Sequence, residues 1–563
     1  MPFATIRVPT LESLQPAFDY RMSNRVGVLG GTNFAWDASG VYAAFSSRLV
    51  SSDDSIGTSP AIVQELDLEH GTHLLVDDAV GGLIWRFVPS SLGSPVGTWE
   101  LIATLNELVE PDPIDVPYNL RRASTAFLGQ AHDQHYMCAW NYGVYRVDFN
   151  LDPPTYTRLT SGTVPGFPAD TDPVIAIAET NGRLLYMTAL TLYWSAPNDP
   201  ENLVPALGGA GFQVIGERLA GEPFALMPTT SGAIIWSTQG ALVCEFIGGD
   251  NVFRYWQLQI QTLPVSSFAI TQMSNEDYVI LTSLGLYKIS NLAQPTPITP
   301  LFNEFLREYL RSRPNELPHV WYSINDNRLY VSFRAGQTVF LETFVLEIGL
   351  DKWGSFNRSH IGFFNYGPSR GQLAYSSELG VVSYLLSPID SKRGVENHNN
   401  PGEILGLSAQ ITLGWMHAEE LVPHADTIQE IQEIVINRKA PFGQVTVVIV
   451  DEGLIIDVGA VVFDEGLITD PVVIVVDEGF ITENEILTNY GLEVLGDVFV
   501  FTVDGIQTTV IRPTLVGRGP FTDLWTTMVP LMYAQLRITA SEVDEYFRIN
   551  SLTMTAQYSG NWS

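Results

Sequence analysis

The chain is expected to be mainly β: a β-propeller of six to eight blades joined to a C-terminal β-sandwich-like platform that carries an inserted acidic β-hairpin region. Three observations lead there. A hairpin pattern recurs: Ala233-Ile-Ile-Trp-Ser-Thr-Gln-Gly-Ala-Leu-Val-Cys-Glu-Phe246 returns as Tyr278-Val-Ile-Leu-Thr-Ser-Leu-Gly-Leu-Tyr-Lys-Ile289 and as Leu373-Ala-Tyr-Ser-Ser-Glu-Leu-Gly-Val-Val-Ser-Tyr384. Its turns, at positions 40, 82, 143, 191, 240, 285, 336 and 380, lie 42 to 61 residues apart. The composition is turn-rich, with 47 Gly and 34 Pro, and 45% hydrophobic, enough for a large core. A hairpin repeat of that period marks a propeller, because one short sheet cannot bury both faces alone whereas blades stacked about an axis can.

Each of the three clear copies places Ser or Thr three residues before the glycine: Ser237, Thr282 and Ser377. A degenerate copy keeps Thr188 but has Thr191 where the glycine belongs. Looser copies turn at Gly40, Gly82, Gly143 and Gly336. The pattern divides the chain into an N-terminal arm (1–35), the propeller (36–390), a polar linker (391–402), a platform (403–439 and 512–563) and an acidic insertion (440–511). One helix interrupts the repeat from Pro300, with Thr299 as its cap and Pro300 at the first helical position. Leu301, Phe302, Phe305, Leu306, Tyr309 and Leu310 share one of its faces, and Arg307, Arg311 and Arg313 make the other side basic.

Charge narrows the function classes. With 29 Lys+Arg against 62 Asp+Glu, the net charge is −33. Such a chain does not wrap nucleic acid by neutralising phosphates, though it can stand beside DNA as a repelling wall. No signal-peptide pattern and no apolar run of ~18 residues occurs. The expectation is a soluble protein made in a cytoplasm, without a membrane anchor. Cys138 and Cys244 are read as separate buried thiols.

Within the insertion, Asp-Glu-Gly recurs every 13 residues, at Asp451/Glu452, Asp464/Glu465 and Asp477/Glu478. From Ala440 to Ile511 there are 13 Asp and Glu and no Lys, Arg or His. Hard cations want several carboxylates, but the spacing matches neither a twelve-residue calcium loop nor a glycine-rich calcium nonapeptide, so acidic hairpin turns are expected rather than a metal site. His70 and His73, like His132 and His135, lack the Cys or Glu partners of a zinc site and read as turn residues. The segment Ser52-Asp-Asp-Ser-Ile-Gly-Thr58 is out of register with a sialidase-type turn, and no nucleophile elbow or phosphate-binding loop is present. No catalytic residue, cofactor or enzymatic activity is therefore expected.

Several segments, taken in order, resemble a known family. Asn33-Phe-Ala-Trp-Asp-Ala-Ser-Gly-Val-Tyr-Ala-Ala-Phe-Ser-Ser-Arg48 is similar to an early segment of phage tail proteins. Leu192-Tyr-Trp-Ser-Ala-Pro-Asn-Asp-Pro-Glu-Asn-Leu203 is similar to their aromatic-Ser-x-x-x-Asp-Pro segment. The run through Phe246, Val265–Ile270 and Leu284–Lys288 follows, then the helix and His319-Val-Trp-Tyr-Ser-Ile324. This order, over residues 30–390, resembles the tail nozzle (tail hub, tubular) proteins of short-tailed bacteriophages. The resemblance implies a homohexameric ring below the portal and adaptor, neighbouring tail fibres or tailspikes, with DNA passing through an axial channel without sequence-specific binding. It implies virion localisation and no catalytic residues. The acidic repeat belongs to no general pattern of that family. Two other classes compete: a tail-associated propeller glycosidase or carbohydrate-binding protein, and a monomeric cellular scaffold.

Overall fold

In the computed structural model, most of residues 28–413 are described, stretches such as 107–121 and 387–393 excepted. Elsewhere the described elements are Phe3–Val8, Met416–His417, Thr427–Arg438, Val450–Asp451, Leu454–Ile455, Gly491–Asp497, Thr508–Ile511, Thr514–Arg518, Thr522–Thr527, Tyr533–Ala540 and Arg548–Ser559. Among these residues there is one α-helix, α1 (Pro300–Ser312), and it is too short to cross a membrane.

The repeat is built as seven antiparallel blades, at 62–105, 124–158, 176–214, 223–257, 270–297, 316–356 and 362–385. The first six supply four consecutive strands each. The seventh has three of its own and takes its fourth, Ser47–Leu49, from the beginning of the chain, with Leu49 opposite Ser383 and Ser47 opposite Leu385. First strands touch first strands from the second blade to the third, third to fourth, fifth to sixth and sixth to seventh, and from the seventh back to the first. The ring is closed, and the chain is a β-propeller.

Every repeated hairpin joins the second and third strands of a blade. Ala233–Phe246 spans that hairpin in the fourth blade, and the turns at 82, 143, 191, 285, 336 and 380 serve the other six. The turn at Gly40 does not. Its hairpin, Phe34–Asp37 with Gly40–Ala43, extends the outer edge of the sixth blade. A local hairpin pattern cannot distinguish a blade from an edge extension, since both satisfy the same backbone bonds. Arg328 fixes this extension: it donates to Trp36 O at 2.9 Å and to the Tyr42 hydroxyl at 2.8 Å while paired with Glu347 at 2.8 Å.

The core is divided among the gaps between blades. Seven apolar clusters occupy the seven interfaces, each taking side chains from two neighbouring sheets. Leu75, Ile84 and Leu105 of the first blade meet Met137, Tyr142 and Val147 of the second, for example. At the other end of the ring, Val63, Leu74 and Val76 meet Phe364, Tyr366 and Ala374 of the seventh. Cys138 and Cys244 belong to two different clusters as free buried thiols. Helix α1 seals the gap between the fifth and sixth blades with Phe302 and Leu306, and Phe305, Tyr309 and Leu310 pack beside them. Thr299 differs from expectation: it adopts a left-handed conformation and makes no side-chain cap. Asn303 does the anchoring instead. Its Oδ1 accepts from Leu286 N–H at 2.7 Å, and its Nδ2 donates to Leu286 O and Ile298 O.

The N-terminal arm and the linker are both strand-paired. Phe3–Val8 lies antiparallel to Arg548–Ser559, and Val28–Thr32 to Ala409–Leu413. Val395–Glu396, inside the polar break, pairs with the closing strand, and the Glu396 carboxylate accepts from Leu49 N–H at 2.9 Å. Beyond the propeller two sheets form. One continues the sixth blade through Gly40–Ala43 into Arg548–Ser559, Thr427–Arg438, Thr522–Thr527 and Thr514–Arg518. The other orders Val28–Thr32, Ala409–Leu413, Tyr533–Ala540, Gly491–Asp497 and Thr508–Ile511. The last two strands fall in the span expected to be insertion.

The hydroxyl before three of the turns has a defined role. Gly240 N–H donates to Ser237 Oγ at 3.0 Å, Thr191 N–H to Thr188 Oγ1 at 3.1 Å, and Leu284 N–H to Thr282 Oγ1 at 3.1 Å. A buried hydroxyl thus satisfies turn amides that the ladder leaves over. The glycines differ among themselves. Gly285 has φ +118°, and a Cβ there would lie 2.4 Å from Asn303 Cγ. Gly240 lies outside the left-handed region, and its added Cβ would meet nothing nearer than 4.0 Å. Gly285→Ala should therefore destabilise by roughly 2–4 kcal/mol, and Gly240→Ala should stay within about 0.5 kcal/mol. Denaturant midpoints check this; equal midpoints for the two variants would refute the assignment.

Candidate functional site

Of the six carboxylates singled out in the acidic repeat, only Asp451 is in a described element. Val450–Asp451 pairs antiparallel with Leu454–Ile455, with Asp451 opposite Leu454. Glu452, Asp464, Glu465, Asp477 and Glu478 lie outside the described residues. Among the described residues no group of His, Cys, Asp and Glu is placed to hold a metal ion. His73 and His135 are not turn residues. Both lie in second-position strand segments and are buried, His73 within 3.0 Å of the Tyr156 hydroxyl and His135 stacked on Phe127 at 4.4 Å. The aromatic neighbours that bury them come from elsewhere in the chain, which the local His-x-x-His pattern does not reveal. His70 and His132 are outside the described residues.

The structure brings a different set of residues together at the propeller axis. A cavity of about 290 Å³ is lined by first-strand residues of the first, fifth, sixth and seventh blades, including Gln64, Glu65, Thr271, His319, Trp321 and Asn365. Arg122 enters just before the second blade and reaches across the axis. Its N–H donates to Ser267 Oγ at 2.9 Å, and its guanidinium donates to Ile270 O at 2.6 Å, both beside the fifth blade. Gln64 accepts from Ala123 N–H at 2.6 Å, Glu65 from Asn365 N–H at 3.0 Å, and Tyr322 O from Asn365 Nδ2 at 3.0 Å. Among the described residues, Arg122 is the side chain that spans the axis, from the start of the second blade to the fifth.

A buried polar seam lies beside this cavity between the sixth and seventh blades, next to their apolar cluster. His319 stands opposite Ser332, and Arg334 opposite Leu317, so alternation sets His319, Ser332 and Arg334 on one face of the sheet. The His319 ring stacks on Phe268 at 4.1 Å and meets Phe340 at 4.6 Å. Burial, then the charges of Arg334, Arg122 and His360, hold its pKa well below the ordinary histidine value. Burial also lowers Arg334 to about 10. His360 Nδ1 donates to Arg358 O at 2.9 Å, which leaves Nε2 to accept from Ser332 or Thr343, 3.3 and 3.5 Å away. Further out, Arg358 donates to Ser47 Oγ at 2.9 Å on the closing strand. The seam couples ring closure to the axis.

A second hollow, about 1450 Å³ and open to solvent, lies between the fourth and fifth blades against α1. Arg218, Arg307, Arg311 and Arg313 line it. Arg311 is paired with Glu308 at 2.7 Å and Arg313 with Glu342 at 2.8 Å, so much of the helix's basic face is neutralised locally.

Burial pushes His360 down to about 4, against ~6.5 in an unfolded chain. Below pH ~6.5 the unfolded chain takes up a proton that the fold refuses, so stability is complete above that pH and falls as pH drops towards 4. His319 acts in the same direction. His360→Gln keeps an acceptor for Ser332 and should remove about 2 kcal/mol of the stability lost between pH 7 and pH 5. Denaturation midpoints at the two pH values measure it; an unchanged pH dependence in the variant would show that His360 is not held neutral.

No protein-family model and no curated protein matches the chain. Among solved structures it is similar to the β-propeller domain of Cps50 (Swd1) from Myceliophteria thermophila, at 11% identity over 60% of this chain and 99% of that one, with a TM-score of 0.35. It is similar to the WD40 domain of Neurospora crassa Pan2, at 12% identity over 68% and 96%, TM-score 0.24. A quinonprotein alcohol dehydrogenase-like protein of Bacteroides thetaiotaomicron gives 10% identity over 54% and 68%, TM-score 0.33. At these scores the propeller assignment rests on the seven blades themselves.

Proposed function

We propose that the chain is a structural virion protein, the subunit of a ring-shaped nozzle in a short phage tail, and not an enzyme. The observation that carries this reading is the serial order of the segments at Asn33–Arg48, Leu192–Leu203, 234–289, the helix and His319–Ile324. Two features of the fold support it. The sixth blade runs edge-on into the C-terminal strands, and the arm pairs with strands of the same sheets, so the propeller and the C-terminal strands share hydrogen-bonded sheets. In the proposal these sheets are the sandwich-like platform by which six copies associate below the portal and adaptor, with tail fibres or tailspikes outside. The propeller axis is crossed by Arg122, so the DNA passage of such a nozzle is the ring axis between subunits. The ring is the first test. Negative-stain images of the purified chain, or of virions with this chain labelled, should show six-fold rings; a strictly monomeric particle absent from virions would overturn the reading. Release of reducing sugar from host polysaccharide, abolished by one carboxylate substitution, would favour the glycosidase class instead.

In this proposal residues 440–511 face the exit channel. Six copies of a segment with 13 carboxylates and no base form an acidic wall. DNA carries about one negative charge per 1.7 Å, and repulsion reaches about 8 Å at physiological salt, so the wall centres the duplex and lets it slide. Replacing Asp451, Glu452, Asp464, Glu465, Asp477 and Glu478 by Asn and Gln should leave assembly intact and slow DNA exit. Ejection at the normal rate and salt dependence would place the insertion in an outer collar.

A further inference from the structure

We propose that the outer edge of the third blade, Gly211–Val214, takes on the strand Thr508–Ile511 of a second copy of this chain. This contact deepens the ring reading above and rests on it for the number of copies. An exposed outer strand is a template for another strand unless charge, proline or a covering segment blunts it. In the first blade that strand carries Glu100, in the second Arg158 and in the fourth Arg254. In the fifth it is Thr296–Pro297, two residues ending in proline. Phe34–Asp37 covers the sixth and Val395–Glu396 the seventh. Gly211-Phe-Gln-Val214 has none of these devices.

The same edge is apolar. Leu190 is 61% exposed, Val204 51%, Phe212 53% and Val214 41%. Tyr193 stands opposite Phe212, with ring centroids 5.8 Å apart. The Ile215 amide donates to Leu190 O at 2.8 Å, so by alternation Gly211 and Gln213 bond inward while Phe212 and Val214 turn their amides and carbonyls to the open side. Gln213 Nε2 covers one of these, Val214 O, at 3.0 Å. The other three can bond an added strand.

Charge and the chain's own unfinished sheets select the occupant. A chain of net charge −33 repels its copies, so they meet where neither surface carries charge. Of the strands that end the two C-terminal sheets, Thr514–Arg518 carries Arg518. Thr508-Thr-Val-Ile511 has no charge and no proline, is β-branched throughout and matches the third-blade edge in length. Among the described residues it pairs on one side only, with Gly491–Asp497. The opposite end of its sheet, Val28–Thr32, packs against Lys352–Phe356 of the sixth blade. Third and sixth blades lie on opposite sides of the ring, so the strand that one chain presents is taken by its neighbour. Two different patches meeting in this way make a head-to-tail contact, which repeats until the ring closes.

Disulfide trapping tests the contact. The full chain carrying Val214→Cys together with Thr509→Cys or Val510→Cys is oxidised and run on a denaturing, non-reducing gel; Cys138 and Cys244 are buried and stay out of the reaction. The expected result is a ladder of covalent multimers from at least one of the two pairs, where Val214→Cys alone gives no more than a dimer. Phe212→Lys with Val214→Lys, both at exposed positions, should weaken self-association at least tenfold in sedimentation, and Leu101→Lys on the first blade's edge should leave it unchanged. No ladder from either pair, or self-association at full strength in the double lysine variant, would overturn the proposal, as would equal weakening by Leu101→Lys. Six-fold rings that persist in the double lysine variant keep the nozzle and remove this contact. A ladder from particles that form no six-fold ring does the reverse.

Discussion

Everything in this molecule depends on closing the ring. A four-stranded blade has two apolar faces and no means of covering either, so each blade is stable only between two others. Seven blades in an open row would leave two such faces in water. The strand Ser47–Leu49 prevents this by completing the seventh blade, while Val63, Leu74 and Val76 of the first blade bury the seventh blade's free face. At ~25 cal/mol per Å² of apolar surface, losing that interface would remove a large part of the margin that folding leaves.

Closure by an N-terminal strand has a structural consequence further along the chain. The segments before Ser47 are led to the sixth and seventh blades, where Phe34–Ala43 extends one sheet and Val28–Thr32 starts another with C-terminal strands. Both ends of the chain thereby meet on one side of the ring. Arg328 secures the junction. It is an arginine kept charged in a buried place because Glu347, the Tyr42 hydroxyl and Trp36 O satisfy its donors together. Removing one partner from such a set leaves a buried charge uncompensated, which is why the geometry is specified so tightly.

The gap between the sixth and seventh blades carries a polar seam beside its apolar cluster. Two buried histidines and two arginines occupy positions where the neighbouring gaps hold Leu, Val and aromatic side chains. Burial keeps His319 and His360 neutral near pH 7, and it weakens the hold of Arg334 on its proton.

The sequence by itself determined the class of fold, the period of the repeat, the position of the turns and the helix, because these are local. Alternating apolar residues, a hydroxyl three residues before a turn and Pro300 at a helix start act over a few residues, and Ser237, Thr188 and Thr282 bond as their spacing implies. It did not determine that eight turns make seven blades. The hairpin at Gly40 satisfies the same local rules as the others, and only its pairing with Lys352–Phe356 makes it an extension. Nor did it reveal the axial cluster, since Arg122, His319, Arg334 and His360 reach one place from separate strands and loops once the ring closes. Side chains converge there through the rotation from blade to blade, a property of the assembled sheets and of no single segment. The tertiary structure alone decided which histidines are buried, which strand closes the ring and where the cations meet, because burial and field are set by neighbours distant in sequence.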